Sequence, residues 1–382
     1  MKKKKNIAII ITRLDLGGAQ KIALYLAEKL DKQKFNVHLI AGKGGYLDKY
    51  AMQLTKKGVK VNLWTEIKHP INIFFDVIAV YKLRDYFIKN NIDIVHTHSS
   101  KAGILGRKAA FIARIKKVMH TIHGFPFHEH QNPFIHSVYV LIEKIFAGMT
   151  NKLIAVGYDV MEYGLNKGVG SRDKYVVIRP GINVNSFKNT KVDRKKYLKK
   201  YGLNQDLFTV GMVGNLKKQK NPYGFVKIAK AVIDETKDVQ FVFAGDGKNA
   251  DKINKMLDKY KISDKVKFIG WIDEPEKFFK SIDLFLLTSL WEGLPCTLVQ
   301  AVCAGNCCVA TDVGGNREFM KDIGLRQYLF EPEDYETAKE LIIKIKKYGQ
   351  KKPDTKKIYE YDLKYVLKEH KKIYLNDVNQ IH

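Results

Sequence analysis

Short apolar runs alternate with amphipathic segments twice along this chain of 382 residues. Runs of Ile, Val, Leu and Phe predict buried strands, and apolar residues at helical spacing predict the helices between them. The predicted strands are residues 7–11, 36–40, 60–63, 92–96, 117–121, 152–156 and 175–178 in the first half, and 209–213, 240–244, 266–269, 284–287, 307–310 and 327–330 in the second. Helices are predicted at residues 19–30, 72–89, 102–115, 134–146 and 359–374.

This alternation of strands and helices predicts right-handed βαβ units and therefore parallel sheets. Because the pattern starts again near residue 209, we expect two doubly wound, Rossmann-like α/β domains. The dipeptide Pro180-Gly181 interrupts regular structure, and a Lys-rich segment follows it. These features predict a first domain at residues 1–185 and a second domain at residues 186–358.

The chain is strongly basic, with a formal net charge of +27. A solvated Lys-rich surface explains this charge, and so does attraction to an anionic membrane. Nucleic acid is the weaker alternative, because no nucleic-acid motif or regular aromatic interleaving accompanies the lysines. No apolar run reaches about 18 residues, so no membrane span is predicted. The residues Arg107, Arg114, Lys116 and Lys117, together with Phe111 and Ile115, fit either a membrane-facing helix or, as we favour, an ordinary surface helix.

The four cysteines, Cys296, Cys303, Cys307 and Cys308, lie in one segment with no common zinc spacing. We interpret them as core thiols of a protein in a reducing, cytoplasmic compartment.

The most informative segment is residues 283–318, in which a strand runs into Ser289-Leu290-Trp291-Glu292-Gly293 and then into a helix. A carboxylate therefore stands just before a helix N-terminus at the carboxyl end of a strand, where open α/β sheets bind ligands. The free N–H groups of that helix favour a phosphate. Glu292 can accept hydrogen bonds from hydroxyls beside the phosphate, so the pair of features suits a nucleotide sugar.

The pattern S-x-x-E-G-x-P, with a polar residue eight positions after the Glu, resembles the donor motif of family 4 retaining glycosyltransferases, which have the two-domain GT-B fold. The resemblance implies that Glu292 contacts donor-sugar hydroxyls. It also implies that Gln300, where the family has a second Glu, contacts the ribose. A Gln amide can bond hydroxyls as donor and acceptor, without the charge of a carboxylate. The implied donor-binding residues between them are Gly293, Leu294, Pro295, Cys296, Thr297 and Leu298.

Two more segments of the second half resemble the same family. Residues 213–222 match its G-R-L-x-x-x-K loop, with Asn215 in place of the Arg and Lys220 in place of the Lys. The resemblance implies that Lys220 neutralises the leaving diphosphate and that Asn215 lies beside the donor. Lys217 and Lys218 are either substitutes for the missing Arg or solvated charges. Gly245 and Asp246 match a turn near the nucleotide base.

The first half contributes a glycine pair and a group of histidines. Gly17 and Gly18 follow the first strand, where the resemblance implies a loop near the donor phosphate. His123 in the sequence T-x-H-G matches a His that contacts the donor sugar, and residues 125–130, which include His128 and His130, match an acceptor loop. We expect His120 to be a packed, hydrogen-bonded residue.

Histidines at strand ends, including His96 and His98, also suggest a metal-dependent hydrolase. The only late histidines, His370 and His382, lie in the Lys-rich tail, so this alternative is remote.

These observations predict a retaining, metal-independent glycosyltransferase with His123, Lys220 and Glu292 as catalytic residues and no cofactor. The donor is a nucleotide diphosphate sugar, most simply a UDP-sugar. By family analogy, the acceptor is a lipid-linked saccharide of a capsule or lipopolysaccharide, met at the inner face of the membrane. The resemblance also implies that a C-terminal helix, about 359–382, joins the first domain. A UDP-sugar epimerase of the same fold and a non-catalytic sugar-nucleotide-binding protein remain alternatives.

Overall fold

The computed structural model describes residues 3–67, 72–127, 129 and 131–376. The chain forms two compact units, Met1–Gly181 with Leu363–His382, and Ile182–Asp362. The predicted boundaries at residues 185–186 and 358–359 therefore each lie about four residues from the positions at which the chain passes from one unit to the other.

The first unit is built on a seven-stranded sheet in the order β3-β2-β1-β4-β5-β6-β7, with every adjacent pair parallel. Residues 7–11 belong to β1, an interior strand of the sheet, and they are fully buried, as expected for a parallel strand covered on both faces. The strands are β1 (Lys5–Arg13), β2 (Phe35–Gly42), β3 (Val59–Trp64), β4 (Ile94–His98), β5 (Lys117–Ile122), β6 (Lys152–Ala155) and β7 (Tyr175–Val177).

Helices cover both faces of this sheet, and right-handed crossovers decide which face each one covers. The helices in this stretch are α1 (Gly18–Lys29), α2 (Asp48–Gln53), α3 (Ile73–Lys89), α4 (Ser100–Ile112), α5 (Pro133–Gly148) and α6 (Tyr158–Asn166). Apolar residues of α1 join one core cluster, and those of α3 and α4 join another on the opposite face.

The second unit is a six-stranded parallel sheet in the order β10-β9-β8-β11-β12-β13. Its strands are β8 (Phe208–Val213), β9 (Val239–Ala244), β10 (Val266–Phe268), β11 (Leu284–Leu287), β12 (Cys307–Thr311) and β13 (Leu329–Phe330). Its helices are α7 (Val184–Asn189), α8 (Arg194–Lys200), α9 (Pro222–Glu235), α10 (Ala250–Tyr260), α11 (Pro275–Phe279), α12 (Cys296–Ala304), α13 (Gly314–Asp322) and α14 (Tyr335–Tyr348). Strands β8 and β11 are neighbours, so the loops that follow them meet at one sheet edge.

The last helix, α15 (Leu363–Leu375), belongs to the first unit. Its Tyr374 ring packs edge-on against Phe35 with ring centroids 6.1 Å apart, and its hydroxyl lies 2.6 Å from His96 Nδ1. The helix begins later than the predicted residue 359, because residues 358–361 form a 3₁₀ turn.

Each predicted strand has a counterpart among the described residues; most bounds differ by no more than about two residues, and two strands need a correction. The strand predicted at 92–96 is β4, Ile94–His98, and the one predicted at 327–330 shortens to Leu329–Phe330 after a 3₁₀ turn. The basic surface suggested around Arg107 and Lys117 was also wrong in part. Both side chains are buried, and Arg107 forms an ion pair with Glu143 at 2.9 Å.

Candidate functional site

In the second unit, two of the predicted catalytic residues touch. Lys220 lies in the 3₁₀ turn Lys218–Lys220 that follows β8, and Glu292 lies in the loop that follows β11. Lys220 Nζ lies 2.5 Å from Glu292 Oε1, and the two side chains are 14% and 7% exposed. The carboxyl ends of two neighbouring parallel strands thus present an ion pair that is largely shielded from water.

Backbone hydrogen bonds join the two loops and fix this pair. Leu290 N donates to Gln219 O at 2.8 Å, and the Thr288 hydroxyl donates to Lys220 O at 2.9 Å. The Ser289 hydroxyl donates to Glu292 Oε1 at 2.6 Å. Because these hydrogen bonds join the two loops and orient the Glu292 carboxylate, Lys220 and Glu292 are held in place without a ligand.

Helix α12 begins immediately after this loop, and its N-cap, Pro295, offers no side-chain acceptor. In its first turn, Leu298 N donates to the Pro295 carbonyl at 3.2 Å. The positive end of the helix dipole favours an anion at this N-terminus. Thr297 Oγ1 in the first turn is buried without a hydrogen-bond partner among the described residues. Gln300, one turn further on, is half-buried and makes no side-chain hydrogen bond within the described chain.

Two glycines of α13 pack on the other side of the Glu292 loop. A Cβ on Gly315 would stand 2.0 Å from the carbonyl oxygen of Gly293, and one on Gly314 would stand 2.4 Å from that of Glu292. Only residues without a side chain allow this approach.

The loop after β8 also contacts the turn after β9. Gly245 has φ +150°, and a Cβ there would stand 1.6 Å from the Gly214 carbonyl oxygen. Asp246 Oδ1 accepts from Gly247 N at 2.6 Å, which stabilises the turn. Asn215, in the same loop as Lys220, has a buried Oδ1 with no partner among the described residues. The predicted second-half residues therefore cluster at the carboxyl ends of β9, β8 and β11.

In the first unit, Gly17 and Gly18 lie at the carboxyl end of β1. Gly17 caps α1 with φ −172°, an extended conformation that any residue can adopt, and contributes no side-chain cap. A Cβ on Gly17 would meet only the flexible Gln20 side chain, at 2.5 Å from Oε1. The backbone conformation therefore does not itself require glycine at position 17.

His123 lies at the carboxyl end of β5, and its Nε2 is 3.1 Å from His98 Nδ1. Burial lowers the pKa of His123 to about 4. Burial also holds the pKa of His96 and of His98 well below the usual value near 6.5. These imidazoles are therefore neutral at pH 7, and His123 can take part in hydrogen bonds but supplies no charge.

His120 is fully buried and bonded to the Thr97 hydroxyl at 2.9 Å, which confirms the prediction that it is a packed residue. Among the described residues, no group of three or more His, Cys, Asp or Glu side chains is arranged to hold a metal ion. His128 and His130, in the predicted acceptor loop, lie outside the described residues. The four cysteines are free thiols.

Ser289 and His98 are the direct partners of Glu292 and His123. From the sequence, Ser289 had no assigned role and His98 was considered only as a possible metal ligand. Their positions could have indicated a role. Ser289 lies three residues before Glu292 in the same loop, and His98 ends the strand that pairs with the strand before His123.

Comparison with known proteins assigns this architecture. A family model described as Glycosyltransferase Family 4 matches residues 16–186, and one described as Glycosyl transferases group 1 matches residues 193–362. The chain is 32% identical over 313 residues to the UDP-Gal:alpha-D-GlcNAc-diphosphoundecaprenol alpha-1,3-galactosyltransferase of Escherichia coli, covering 80% of this chain and 79% of that protein. It is 23% identical over 321 residues to CapM, a capsular polysaccharide biosynthesis glycosyltransferase of Staphylococcus aureus, covering 83% and 82%.

Among solved structures, HepE of Anabaena in complex with UDP and glucose superimposes with a TM-score of 0.80 at 19% identity, over 96% of this chain and 98% of that one. The apo form of the lipopolysaccharide outer core galactosyltransferase WaaB gives 0.70 at 17% identity, over 97% and 99%. The fold is therefore GT-B, as predicted. The chain belongs to the family 4 glycosyltransferases, among relatives named for surface polysaccharide biosynthesis. No helix in the described part of the chain is long and apolar enough to cross a membrane.

Proposed function

We propose that this protein is a retaining glycosyltransferase that moves a sugar from a UDP-sugar to a lipid-linked saccharide in bacterial surface polysaccharide synthesis. The observation that carries the proposal is the contact of Lys220 with Glu292 beside the uncapped start of α12. A cation, the N-terminus of a helix and a carboxylate that accepts from hydroxyls lie side by side, and together they fit a diphosphate joined to a sugar. The Escherichia coli relative is named for a UDP-Gal donor and a diphosphoundecaprenol-linked acceptor, which supports these two classes.

In this proposal, different residues contact different parts of the donor. The diphosphate lies at the N-terminus of α12, around residues 296–298, with Lys220 beside it, and both stabilise negative charge as the leaving group departs. Glu292 accepts hydrogen bonds from the sugar hydroxyls, and Gln300 bonds the ribose. Asp246 and Gly245 lie towards the base. Asn215 contributes a neutral amide where relatives have a cation, so Lys220 is the principal charge partner.

Transfer proceeds on one face of the sugar. The acceptor hydroxyl oxygen bonds to the anomeric carbon as the bond from that carbon to the diphosphate oxygen breaks, and the hydroxyl proton passes to the departing diphosphate. No carboxylate of this site is assigned as a covalent nucleophile. His123, neutral at pH 7, orients the donor sugar by hydrogen bonding, and Gly17 and Gly18 allow the backbone to approach the donor. The reaction takes place on the cytoplasmic side, where UDP-sugars are made.

Substitutions in the ion pair test this assignment. Glu292→Ala should reduce turnover by about 100-fold or more while UDP affinity stays within several-fold, since the carboxylate serves the sugar. Lys220→Ala should weaken UDP binding and slow transfer, together costing a few kcal/mol of transition-state stabilisation. Lys217→Ala, an exposed lysine of the same loop, is the matched control and should change neither. Near-normal transfer by Glu292→Ala, or unchanged UDP affinity and turnover in Lys220→Ala, would remove the corresponding role.

The same assays separate the remaining alternatives. Activity should persist in EDTA, because Lys220 and the α12 amides take the place of a divalent cation; loss in EDTA and recovery with manganese would overturn metal independence. Interconversion of UDP-sugars without an acceptor would indicate an epimerase. Donor binding without any reaction would indicate a non-catalytic binding protein.

A further inference from the structure

One face of helix α5 in the first unit is apolar and lies in solvent. Phe134, Val138, Leu141 and Ile145 recur at helical spacing, and they are 77%, 40%, 57% and 50% exposed. The opposite face of the helix is the one that packs inward, through Glu143 and Ala147. We call the four exposed residues the α5 stripe. A 16-residue helix is about 24 Å long, so the stripe runs along most of one side of it.

The stripe leads into an open, basic recess of about 950 Å³ at the C-terminal ends of α4 and α5. Gly148, three residues after Ile145 and therefore on the same side of α5, lines the recess. Phe111 of α4, which is 58% exposed, lines it from the other side. Apolar surface is thus continuous from the stripe to the recess.

Four cations line this recess, Arg114, Lys116, Lys152 and Lys174, against one carboxylate, Asp173. Lys152 Nζ donates to the Asp173 carbonyl at 2.7 Å and Lys174 Nζ donates to the Ala147 carbonyl at 3.0 Å, so both ammonium groups are held at the recess by backbone. The recess therefore presents fixed positive charge beside apolar surface.

The charge of the surrounding segment has the same sign. Residues 99–152 contain eight Lys and Arg and only two carboxylates, Glu129 and Glu143. Glu143 and Arg107 form a buried ion pair, so seven cations and one carboxylate, Glu129, remain in this segment outside the pair. The first unit as a whole holds 34 Lys and Arg against 15 Asp and Glu, a net charge of +19, whereas the second unit has +8.

We infer that the α5 stripe and the basic recess form a docking surface for an anionic phospholipid bilayer. The stripe enters the boundary between headgroups and acyl chains, and the recess receives anionic headgroup phosphates at the level where interfacial helices carry their Lys and Arg. A soluble partner would have to be complementary in shape both to an apolar helix face and to an open cationic recess of about 950 Å³, whereas a bilayer can cover both without a matching shape. The inference rests on the proposed function in that a lipid-linked acceptor has to be reached at a membrane.

Vesicle sedimentation of the full-length protein, without donor or acceptor, tests this surface. The protein should sediment with phosphatidylcholine vesicles that contain phosphatidylglycerol, should be released by high salt, and should bind pure phosphatidylcholine weakly. Arg114→Gln/Lys116→Gln should lower the partition coefficient about 25-fold, at roughly fivefold for each basic residue lost near an anionic surface. Lys252→Gln/Lys255→Gln on the exposed face of α10 loses the same net charge and should retain most of the binding.

A second variant tests the apolar part. Leu141→Gln/Ile145→Gln should lower partitioning about tenfold or more, because it removes apolar area that the bilayer would cover. Tyr348→Gln, at a side chain 72% exposed in the second unit, is its control and should have little effect. Unchanged melting temperatures would show that the variants fold. The inference is overturned if each variant binds like its control, if neutral and anionic vesicles bind equally, or if the stripe variant instead dissociates a dimer in sedimentation velocity.

The readouts also distinguish this inference from the proposed function. Vesicle binding needs no catalysis, and UDP binding and sugar transfer in solution need no vesicles. Binding to anionic vesicles by a protein that fails to transfer sugar would leave the docking surface standing and remove the function. Sugar transfer by a protein that does not bind anionic vesicles would remove the docking surface and leave the function standing.

Discussion

The first unit contains all eleven histidines of the chain, and the second contains all four cysteines. Both are parallel sheets with helices on both faces, yet they treat polar groups differently. The first buries imidazoles and a complete ion pair, Arg107 with Glu143, inside its core. The buried polar side chains of the second unit's strands are uncharged, such as Thr209 and Gln240, and its Lys220–Glu292 ion pair lies at the strand ends.

The difference shows that one architecture accommodates two ways of building a site. In the second unit, the positions of functional groups follow from the backbone, through glycines that allow loops to touch and hydrogen bonds between loops. In the first unit, they follow from side chains bonded to one another across strands, such as His96 between Thr121 and Tyr374. The site of the second unit, which the backbone positions, should tolerate acid. The site of the first unit, which buried imidazoles position, should not.

Acidification should therefore unfold the first unit before the second. Burial lowers the pKa of His38, His123 and His370 to about 4 each, whereas unfolded histidine titrates near 6.5. The unfolded state binds more protons between these values, so stability is complete above about pH 6.5 and is lost as pH falls towards 4. At pH 5 the loss is roughly 2 kcal/mol for each histidine, or about 6 kcal/mol for the three.

Tryptophan fluorescence can follow the two units separately. Trp64 reports the first unit once Trp271 and Trp291 are replaced by Phe, and Trp64→Phe leaves the second unit's reporters. His370→Gln should reduce by about one the number of protons taken up on unfolding of the first unit. Equal acid sensitivity of the two signals would contradict the contrast.

The buried pair gives the next largest effect. Glu143→Ala should destabilise the first unit by about 3–5 kcal/mol, because it leaves the Arg107 guanidinium, which is fully buried, without its carboxylate. The double variant Arg107→Met/Glu143→Met removes both charges at similar volume and should restore most of that stability. Denaturant unfolding followed by Trp64 measures both values. A double variant as unstable as the single one would show that the pair itself, not the stranded charge, provides the stability.

The glycine-dependent contacts of the second unit can be tested in the same way. Gly245→Ala should cost about 2–4 kcal/mol, because its φ is +150° and its Cβ would overlap the Gly214 carbonyl oxygen. The loss should appear in the second unit's tryptophan signals and in weaker UDP binding. Unaltered stability would mean that the two loops separate freely.

Most of the fold could be predicted from the sequence, because apolar runs and the handedness of βαβ units determine the order of a parallel sheet. The polar strand β4 was displaced by two residues in the prediction, since the His-Thr-His end is buried only through hydrogen bonds to β5 and α15. The burial of Arg107 could not be predicted either, because its partner Glu143 lies 36 residues away in the sequence. Periodicity records which residues are apolar, and it does not record which polar residues are paired.

The candidate site, too, could be predicted only in part from the sequence. Family motifs located Lys220 and Glu292, but their contact across 72 residues comes from the neighbouring positions of β8 and β11 in the sheet. Ser289 was in the motif and still lacked a role, because its hydroxyl direction depends on the loop that holds it. The roles of Gln300, Asn215, His123 and the glycines in donor binding stay predictions.

The smallest expected effect on stability is at Gly17, and this position separates structural from functional glycine. Its φ of −172° suits any residue, and a Cβ would displace only the mobile end of Gln20, so Gly17→Ala should change the stability of the first unit by less than about 1 kcal/mol. If the loop serves backbone approach to the donor, the added methyl group occupies the donor's space and raises the KM for the UDP-sugar, while the folded state is unaffected. Thermal melting and donor titration measure the two quantities on one preparation. A Gly17→Ala variant with unchanged melting temperature and unchanged KM would show that this glycine is only a helix cap, and the donor would then be held by the second unit's loops without it.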